Sequence, residues 1–331
     1  MSSLTYAITR IITGIINIFI IITIVFLVIR LIPGNPISII IGRLSMQGVY
    51  IGGQELVEEY KRMFGLEGDM LTQYIAYLRE TLKGNFGYSI MAFPSTVKEL
   101  IVNALPWSIG LLSVSVILSW SVGTVLGALA GWKKSKLSDV LAIISLGLYC
   151  IPYWLLAILL IYIFAYLLGI FPTSGGYSTG IFPSFTIEFI KDLIWHSILP
   201  ATSIILSSLG WWYLSMRSLI LSSKNEEYIL FDKAKGLNPR RIMWHAFRNA
   251  LLPQTTGLAL SIGNILGGSL LTEAIFAYPG MGWLLYNAVI NLDYPLIQGI
   301  VLTVTIVTCL VIMILDLIYP LIDPRIKLGG E

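Results

Sequence analysis

Side chains that usually carry chemistry are scarce in this 331-residue chain, and their spacing excludes more than it suggests. The two cysteines, Cys150 and Cys309, both lie in apolar runs, so neither a disulfide framework nor a metal site can be built from them. The two histidines, His196 and His245, belong to no His-Glu-x-x-His pattern, and there is no Gly-x-Ser-x-Gly elbow, which argues against a hydrolase. A Gly-x-x-x-x-Gly-Lys-Ser/Thr run is also missing, so the chain cannot cradle nucleotide phosphates with the usual loop. The densest group of reactive types is the basic stretch KAKGLNPRRIMWHAFRNALLP at 233–253, which has five cations and no acid.

Local signals give that stretch a shape. Asn225, followed by Glu226 and Glu227, predicts a helix start, because a capping side chain and two acids complement the positive end of the helix dipole. Lys233 and Lys235 suit the negative end, and Gly236 falls where a left-handed terminal residue is wanted. Asn238 and Pro239 then restart the chain as cap and first helical residue of a second helix, which carries Arg240, Arg241, Trp244, His245, Phe247 and Arg248 before Pro253. The expectation is an elbow of helix, glycine turn and helix.

The surroundings of the elbow are apolar. A hydrophobic fraction of 56% with only 12% charged residues lies far from soluble composition, in which charged residues make up about a quarter. The chain reads as an all-α integral membrane protein, and the small net charge of +3 as topology information. Charge-free runs long enough for a hydrocarbon core roughly 30 Å thick predict six spans: Ile11–Ile29, Leu100–Trp132 with its helix starting at Pro106, Val140–Leu168, Leu193–Met216, Leu252–Thr272 and Tyr294–Leu315. The first is too long for a signal-peptide core and lacks a small-residue cleavage site, so it counts as a span.

Lys133, Lys134 and Lys136 after the second span, and Arg217 through Arg248 after the fourth, place both connections inside by the positive-inside rule. Arg325 and Lys327 add to the same side, so both termini are expected to be cytoplasmic in a cell (plasma or inner) membrane. The expected divisions are 1–32 for the N-terminus and first span, 33–99 for an outer helical segment, 100–319 for the remaining spans with a loop at 217–252, and 320–331 for the tail. In the outer segment, QELVEEYKRMF and LTQYIAYLRETL mix apolar and charged residues at helical spacing, punctuated by Gly65 and Gly84. These helices either lie at the lipid interface, with Tyr74 and Tyr77 as anchors, or form a docking surface.

The elbow, with Gly236 and the RNALLP ending before a span, resembles the cytoplasmic coupling loop of binding-protein-dependent ABC importer permeases of the oligopeptide, dipeptide and nickel subfamily. FLVIRLIPGNPI, LKGNFGYSI, LGIFPTSGG, TEAIFAYPGMGWLL, DYPLIQGIVL and DLIYPLIDPRI follow in the order of that subfamily's landmarks and cover nearly the whole chain. The broader loop motif has Glu-Ala-Ala six residues before its glycine; those positions are Leu230, Phe231 and Asp232 here, while Gly236 matches.

The resemblance implies a type I importer permease fold and a solute pathway without an engine. A second homologous permease chain (a heterodimer being expected), two cytoplasmic ATP-binding subunits carrying ATP and Mg, and an extracytoplasmic solute-binding protein are the implied partners, with no nucleic acid and no cofactor on this chain. Asp232, Ala234, Lys235, Gly236, Leu237, Asn238, Pro239 and Arg240 are the implied coupling residues, and Thr256, Gly263, Asn264, Gly267 and Glu273 the implied pathway or gate residues. The Gly263 and Gly267 pair also suits plain helix packing. Oligopeptide and oligosaccharide stay open as solutes, and nickel is disfavoured by the lack of a His or Cys cluster. The alternative is a secondary transporter or channel whose basic loop is an interfacial anchor on anionic lipid. It is disfavoured because no ionisable residue is expected at mid-membrane, Glu273 and Asp316 being placed at span ends within reach of water or a partner.

Overall fold

The computed structural model describes residues 3–31, 67–133, 135–263 and 270–322, with isolated positions between 42 and 65; side chains are described from 8 to 261 and from 270 to 314 within those ranges. No strand occurs among them. The helices are α1 (Ser3–Leu31), α2 (Met70–Leu82), α3 (Val97–Trp132), α4 (Lys136–Cys150), α5 (Tyr153–Leu160), running on as a π-helix over Ile161–Leu167, α6 (Ile187–Ser223), α7 (Glu227–Ala234), α8 (Pro239–Gly263), α9 (Leu270–Ile275), α10 (Met281–Ile290) and α11 (Tyr294–Ile322). Four described stretches are long and apolar enough to cross a membrane: Ile8–Leu31, Val97–Trp132, Ile187–Ser223 and Tyr294–Ile314; the bent pair Lys136–Cys150 and Tyr153–Leu167 makes a fifth if counted as one span.

Three boundaries differ from those expected, each for a local reason. Helix α3 starts at Val97 and carries Pro106 inside it. A reciprocal capping box sets that start: Glu99 N donates to Thr96 Oγ1 at 3.2 Å, and Thr96 N donates to Glu99 Oε2 at 3.0 Å. The run expected as one helix from Val140 to Leu168 starts earlier, at Lys136 behind a Ser135 cap, and bends by 97° between α4 and α5. Pro152 is the cause, since a residue before proline is pushed out of the helical region; Ile151 is extended at φ −85° and ψ 122°. Finally, Pro253 does not open a span. It lies inside α8, which continues without interruption from the elbow to Gly263. The expected fifth span thus covers part of α8, residues outside the described set, and α9.

The chain divides into two units. The first comprises Met1–Trp107, Pro279–Leu317 and Leu328–Glu331. Its core joins Val97, Ile101 and Ala104 to Met281, Ala288, Leu296 and Ile300. Tyr74 and Tyr77 of α2 pack on Phe26 of α1 with ring centroids 5.2 and 5.3 Å away, and Tyr74 Oη is 2.7 Å from Thr23 Oγ1. Both tyrosines are half-buried, and burial pushes the Tyr77 phenol up to about 12. Asp293, fully buried, caps α11 by accepting from Leu296 N at 3.1 Å. Its other oxygen accepts from Ser89 Oγ at 2.5 Å and Met91 N at 2.8 Å, so one carboxylate fixes both a helix start and the loop after Gly87.

The second unit comprises Ser108–Tyr278 and Ile318–Lys327. Helices α4, α5 and α8 all pack on α6. The approach of α3 to α6 is close because Gly123, Gly127 and Gly131 recur at every fourth position. A Cβ at Gly123 would stand 2.6 Å from Trp212 Cβ, one at Gly131 2.8 Å from Arg217 O, and one at Gly127 would collide with Tyr213 O. Gly210 makes the same kind of approach on the α4 side, against Ser145 O. Gln254 of α8 adds polar glue: its Nε2 donates to Ser215 Oγ at 2.8 Å, and its backbone oxygen accepts from Trp120 Nε1 at 3.2 Å.

Candidate functional site: the elbow between α6 and α8

Helix α7 begins one residue later than Asn225 predicts. Glu226 is the N-cap and makes no side-chain cap, so the acid in the first turn, Glu227, supports this start mainly through the helix dipole. The far end agrees with the sequence in detail. Gly236 adopts φ +70°, Leu237 N donates to Asp232 O at 3.2 Å, and Gly236 N donates to Lys233 O at 3.0 Å. This is the Schellman closure of a helix by a left-handed residue. Asn238 Oδ1 then accepts from Arg240 N at 3.0 Å, and Pro239 opens α8.

A contact across the turn locks the two arms. His245 Nδ1 lies 2.7 Å from Asp232 Oδ2. Asp232 thus ties α7 to α8. The base of the elbow is apolar. Ile229 of α7 and Ile242, Ala246 and Ala250 of α8, none more than 5% exposed, cluster with Met216 and Ile220 of α6 and Ala128 of α3, and Leu237 packs on the edge. Lys224 closes the end of α3 by donating to Trp132 O at 2.7 Å, where a cation also suits the negative end of the dipole. Arg217 pairs with Asp139 at 2.6 Å.

The tip is the opposite of the base. Ala234, Lys235, Gly236, Asn238, Pro239 and Arg240 are exposed, Leu237 and Asp232 are half-buried, and Leu230 and Phe231 stand 53% and 59% exposed beside them. Lys235 Nζ lies over the Phe231 ring, 4.2 Å from its centroid. The elbow therefore presents a rigid knob, partly apolar and partly cationic, on a base that is packed against α3 and α6.

Of the expected pathway residues, three lie within the described part of the chain. Thr256 is half-buried in α8, Gly263 ends that helix, and Asn264 and Gly267 lie outside the described residues. Glu273 corrects the expectation of an acid open to water or a partner. It is 1% exposed, and Ser108 Oγ donates to its Oε2 at 2.9 Å. The turn after α9 explains this placement: Ala277 takes a left-handed φ of 48° and Tyr278 N donates to Glu273 O at 2.8 Å, which folds the end of α9 back on itself. His196 is likewise internal, 7% exposed, with Nδ1 2.9 Å from Asp192 O. The side chain of Asp316 lies outside the described residues. Among the described residues no group of three or more His, Cys, Asp or Glu is arranged to hold a metal ion.

Residues 123–328 match the family described as the inner membrane component of binding-protein-dependent transport systems. The chain belongs to this family. It is 32% identical over 320 residues to the dipeptide transport system permease protein DppB of Escherichia coli, covering 91% of this chain and 92% of that protein. It is 31% identical over 318 residues to the di/tripeptide transport system permease protein DppB of Pseudomonas aeruginosa, with the same coverage of 91% and 92%. The oligopeptide transport system permease protein AppB of Bacillus subtilis is 31% identical over 305 residues, again with 91% of this chain and 92% of that protein aligned. The matched region includes the elbow and the glycine stripe of α3.

Proposed function

We propose that this chain is the membrane-spanning permease subunit of an ATP-driven importer, forms half of the translocation pathway, and receives a short peptide from an extracytoplasmic binding protein. The observation that carries the reading is the elbow: an exposed knob on a buried base, in a chain of the inner-membrane-component family. Peptide is favoured as the solute by the names of the relatives, which give no support to an oligosaccharide.

In this reading both termini and the elbow face the cytoplasm, residues 33–99 form the outer segment, and 217–252 are the coupling loop. Asp232, Ala234, Lys235, Gly236, Leu237, Asn238, Pro239 and Arg240 meet a cleft on one of two separate ATP-binding subunits, which hold ATP and Mg. A second homologous permease completes the pore. Closure of the ATP-binding pair moves the knob, and the packed base carries that displacement into α6 and α8. Thr256, Gly263, Asn264, Gly267 and Glu273 belong to the pathway or its gate.

The test is Gly236→Val. Nothing lies within 4 Å of a Cβ at this site, so the change acts through backbone conformation alone. A β-branched residue in the left-handed region costs on the order of 1–2 kcal/mol, and the relaxed turn re-aims α8 relative to α7. Membrane insertion should persist, while co-purification of the ATP-binding subunits or peptide-stimulated ATP turnover falls; Gly236→Asn, which tolerates the left-handed region, should retain more of both. Wild-type transport and turnover in Gly236→Val would remove the coupling role from the elbow.

A further inference from the structure

Away from the knob, the α8 arm carries a second exposed face. Ile242, Ala246 and Ala250 point into the core at the base of the elbow. At about 100° per residue, Arg241, Trp244 and Arg248 fall on the opposite side of the helix. All three are exposed, Trp244 by 60%, and Trp244 stacks on Phe247 with centroids 5.6 Å apart. No acid occurs anywhere from residue 233 to 272, and no charge of either sign between Arg248 and Glu273. Arg248 is therefore the last cation before the helix becomes apolar. Arg241 stands two turns earlier, about 10 Å along the axis, so the face from Arg241 to Arg248 spans somewhat more than one headgroup layer, roughly 5–8 Å deep.

We infer that the Arg241, Trp244 and Arg248 face binds the phosphate of an anionic phospholipid headgroup where α8 enters the bilayer. Three features favour lipid over a protein partner. Two arginines stay charged at any working pH, and each positive charge near the surface attracts an anionic headgroup. A tryptophan between them suits headgroup level, where its ring is buried and its N–H stays wet. The face is made of residues outside the knob, so a headgroup and an ATP-binding subunit occupy different residues: Arg241, Trp244 and Arg248 for the first, the tip from Leu230 to Arg240 for the second. The inference rests on the membrane reading of the family but not on the direction of transport.

The experiment uses the full chain, with its co-purified ATP-binding subunits, in nanodiscs of phosphatidylcholine containing graded phosphatidylglycerol. Retained phosphatidylglycerol is counted by native mass spectrometry for the wild type, for Arg241→Gln with Arg248→Gln, and for Arg241→Lys with Arg248→Lys. The wild type should enrich phosphatidylglycerol over phosphatidylcholine, and the Gln pair should lower that enrichment about fivefold per arginine removed. The Lys pair should keep most of it, because charge near the surface persists, and subunit co-purification should be unchanged in both. Equal enrichment in wild type and Gln pair overturns the inference, as does an equal loss in the Lys and Gln pairs, which would mark a structural defect. Loss of the ATP-binding subunits with enrichment intact would instead assign this face to protein docking. ATP turnover is not the readout, so failure here leaves the importer reading standing.

Discussion

Gly123→Ala adds one carbon to α3 at its closest approach to α6. The new Cβ would stand 2.6 Å from Trp212 Cβ, 3.0 Å from Leu209 O and 3.2 Å from Tyr213 N. All three are backbone or Cβ atoms, so no rotamer change clears the space. Carbon atoms pack at about 3.5–4.0 Å, so the two helices must part by roughly 1 Å at this level, a gap that forfeits a quarter to a half of each contact's attraction. The loss spreads along the stripe, because Gly127 and Gly131 hold the same two helices at the same spacing. Overpacking of this kind costs about 1–3 kcal/mol.

Gly147→Ala is the matched control. Gly147 is exposed on α4, with nothing within 4 Å of a Cβ, and there the better helix propensity of alanine should stabilise by up to about 1 kcal/mol. The same substitution is thus expected to act with opposite sign at two helical glycines. Detergent-solubilised variants would be heated in steps, and the monodisperse fraction read by size exclusion. Gly123→Ala should lose its monodisperse peak at a lower temperature than wild type, and Gly147→Ala at the same or a higher one. Equal curves for the two variants would refute the close approach of α3 and α6.

Two further changes follow from single carboxylates. Asp293→Ala leaves Ser89 Oγ, Met91 N and Leu296 N without their buried acceptor, and should cost several kcal/mol, on the order of 3; accelerated proteolysis within residues 85–96 would report it, and wild-type resistance would show the clamp to be dispensable. The hydrogen bond from the Thr72 side chain is the main cause holding the Asp69 carboxyl below its usual range, with the Thr72 backbone adding to it. A depressed folded pKa means stability that is fully present above the unfolded value of about 3.9 and is lost as pH falls through the folded one. Amide exchange in the first turn of α2 should accelerate over that acidic window, and Asp69→Asn should remove the pH dependence there.

What the sequence could reveal divides along local and tertiary lines. The elbow was readable because its determinants are short-range: Gly236 needs only its own φ, and Asn238 and Pro239 act within two residues. Two misplaced boundaries were equally local. Thr96-Val-Lys-Glu99 is a capping box in plain sequence, and Pro152 marks a break inside the run expected as a single third helix. The stripe Gly123, Gly127, Gly131 is also visible at a spacing of four, the same spacing as Gly263 and Gly267. Burial of Glu273 and Asp293 was not readable, because each depends on a partner, Ser108 or Ser89, that the fold brings from far along the chain. The same holds for the pairing of Asp232 with His245, which forms only once the turn at Gly236 has reversed the chain.

That pairing bears on what sort of device the elbow is. A glycine between two helices invites the idea of a hinge, but a hinge would absorb a push at the tip. Here the left-handed turn is closed by two backbone hydrogen bonds, braced by the Asp232 to His245 contact, and backed by Leu237 against the apolar base. Helix α8 adds to the stiffness by continuing through Pro253 to Gly263 instead of breaking where the apolar stretch begins. On the other side Ile229 seats α7 on Ile220 and Met216 of α6, and the glycine stripe of α3 leaves α6 little room to slide. A displacement applied at the knob therefore has few soft degrees of freedom in which to dissipate. Within the importer reading, the glycine sets a direction instead of supplying motion, which is why its replacement should uncouple the subunits without unfolding the chain.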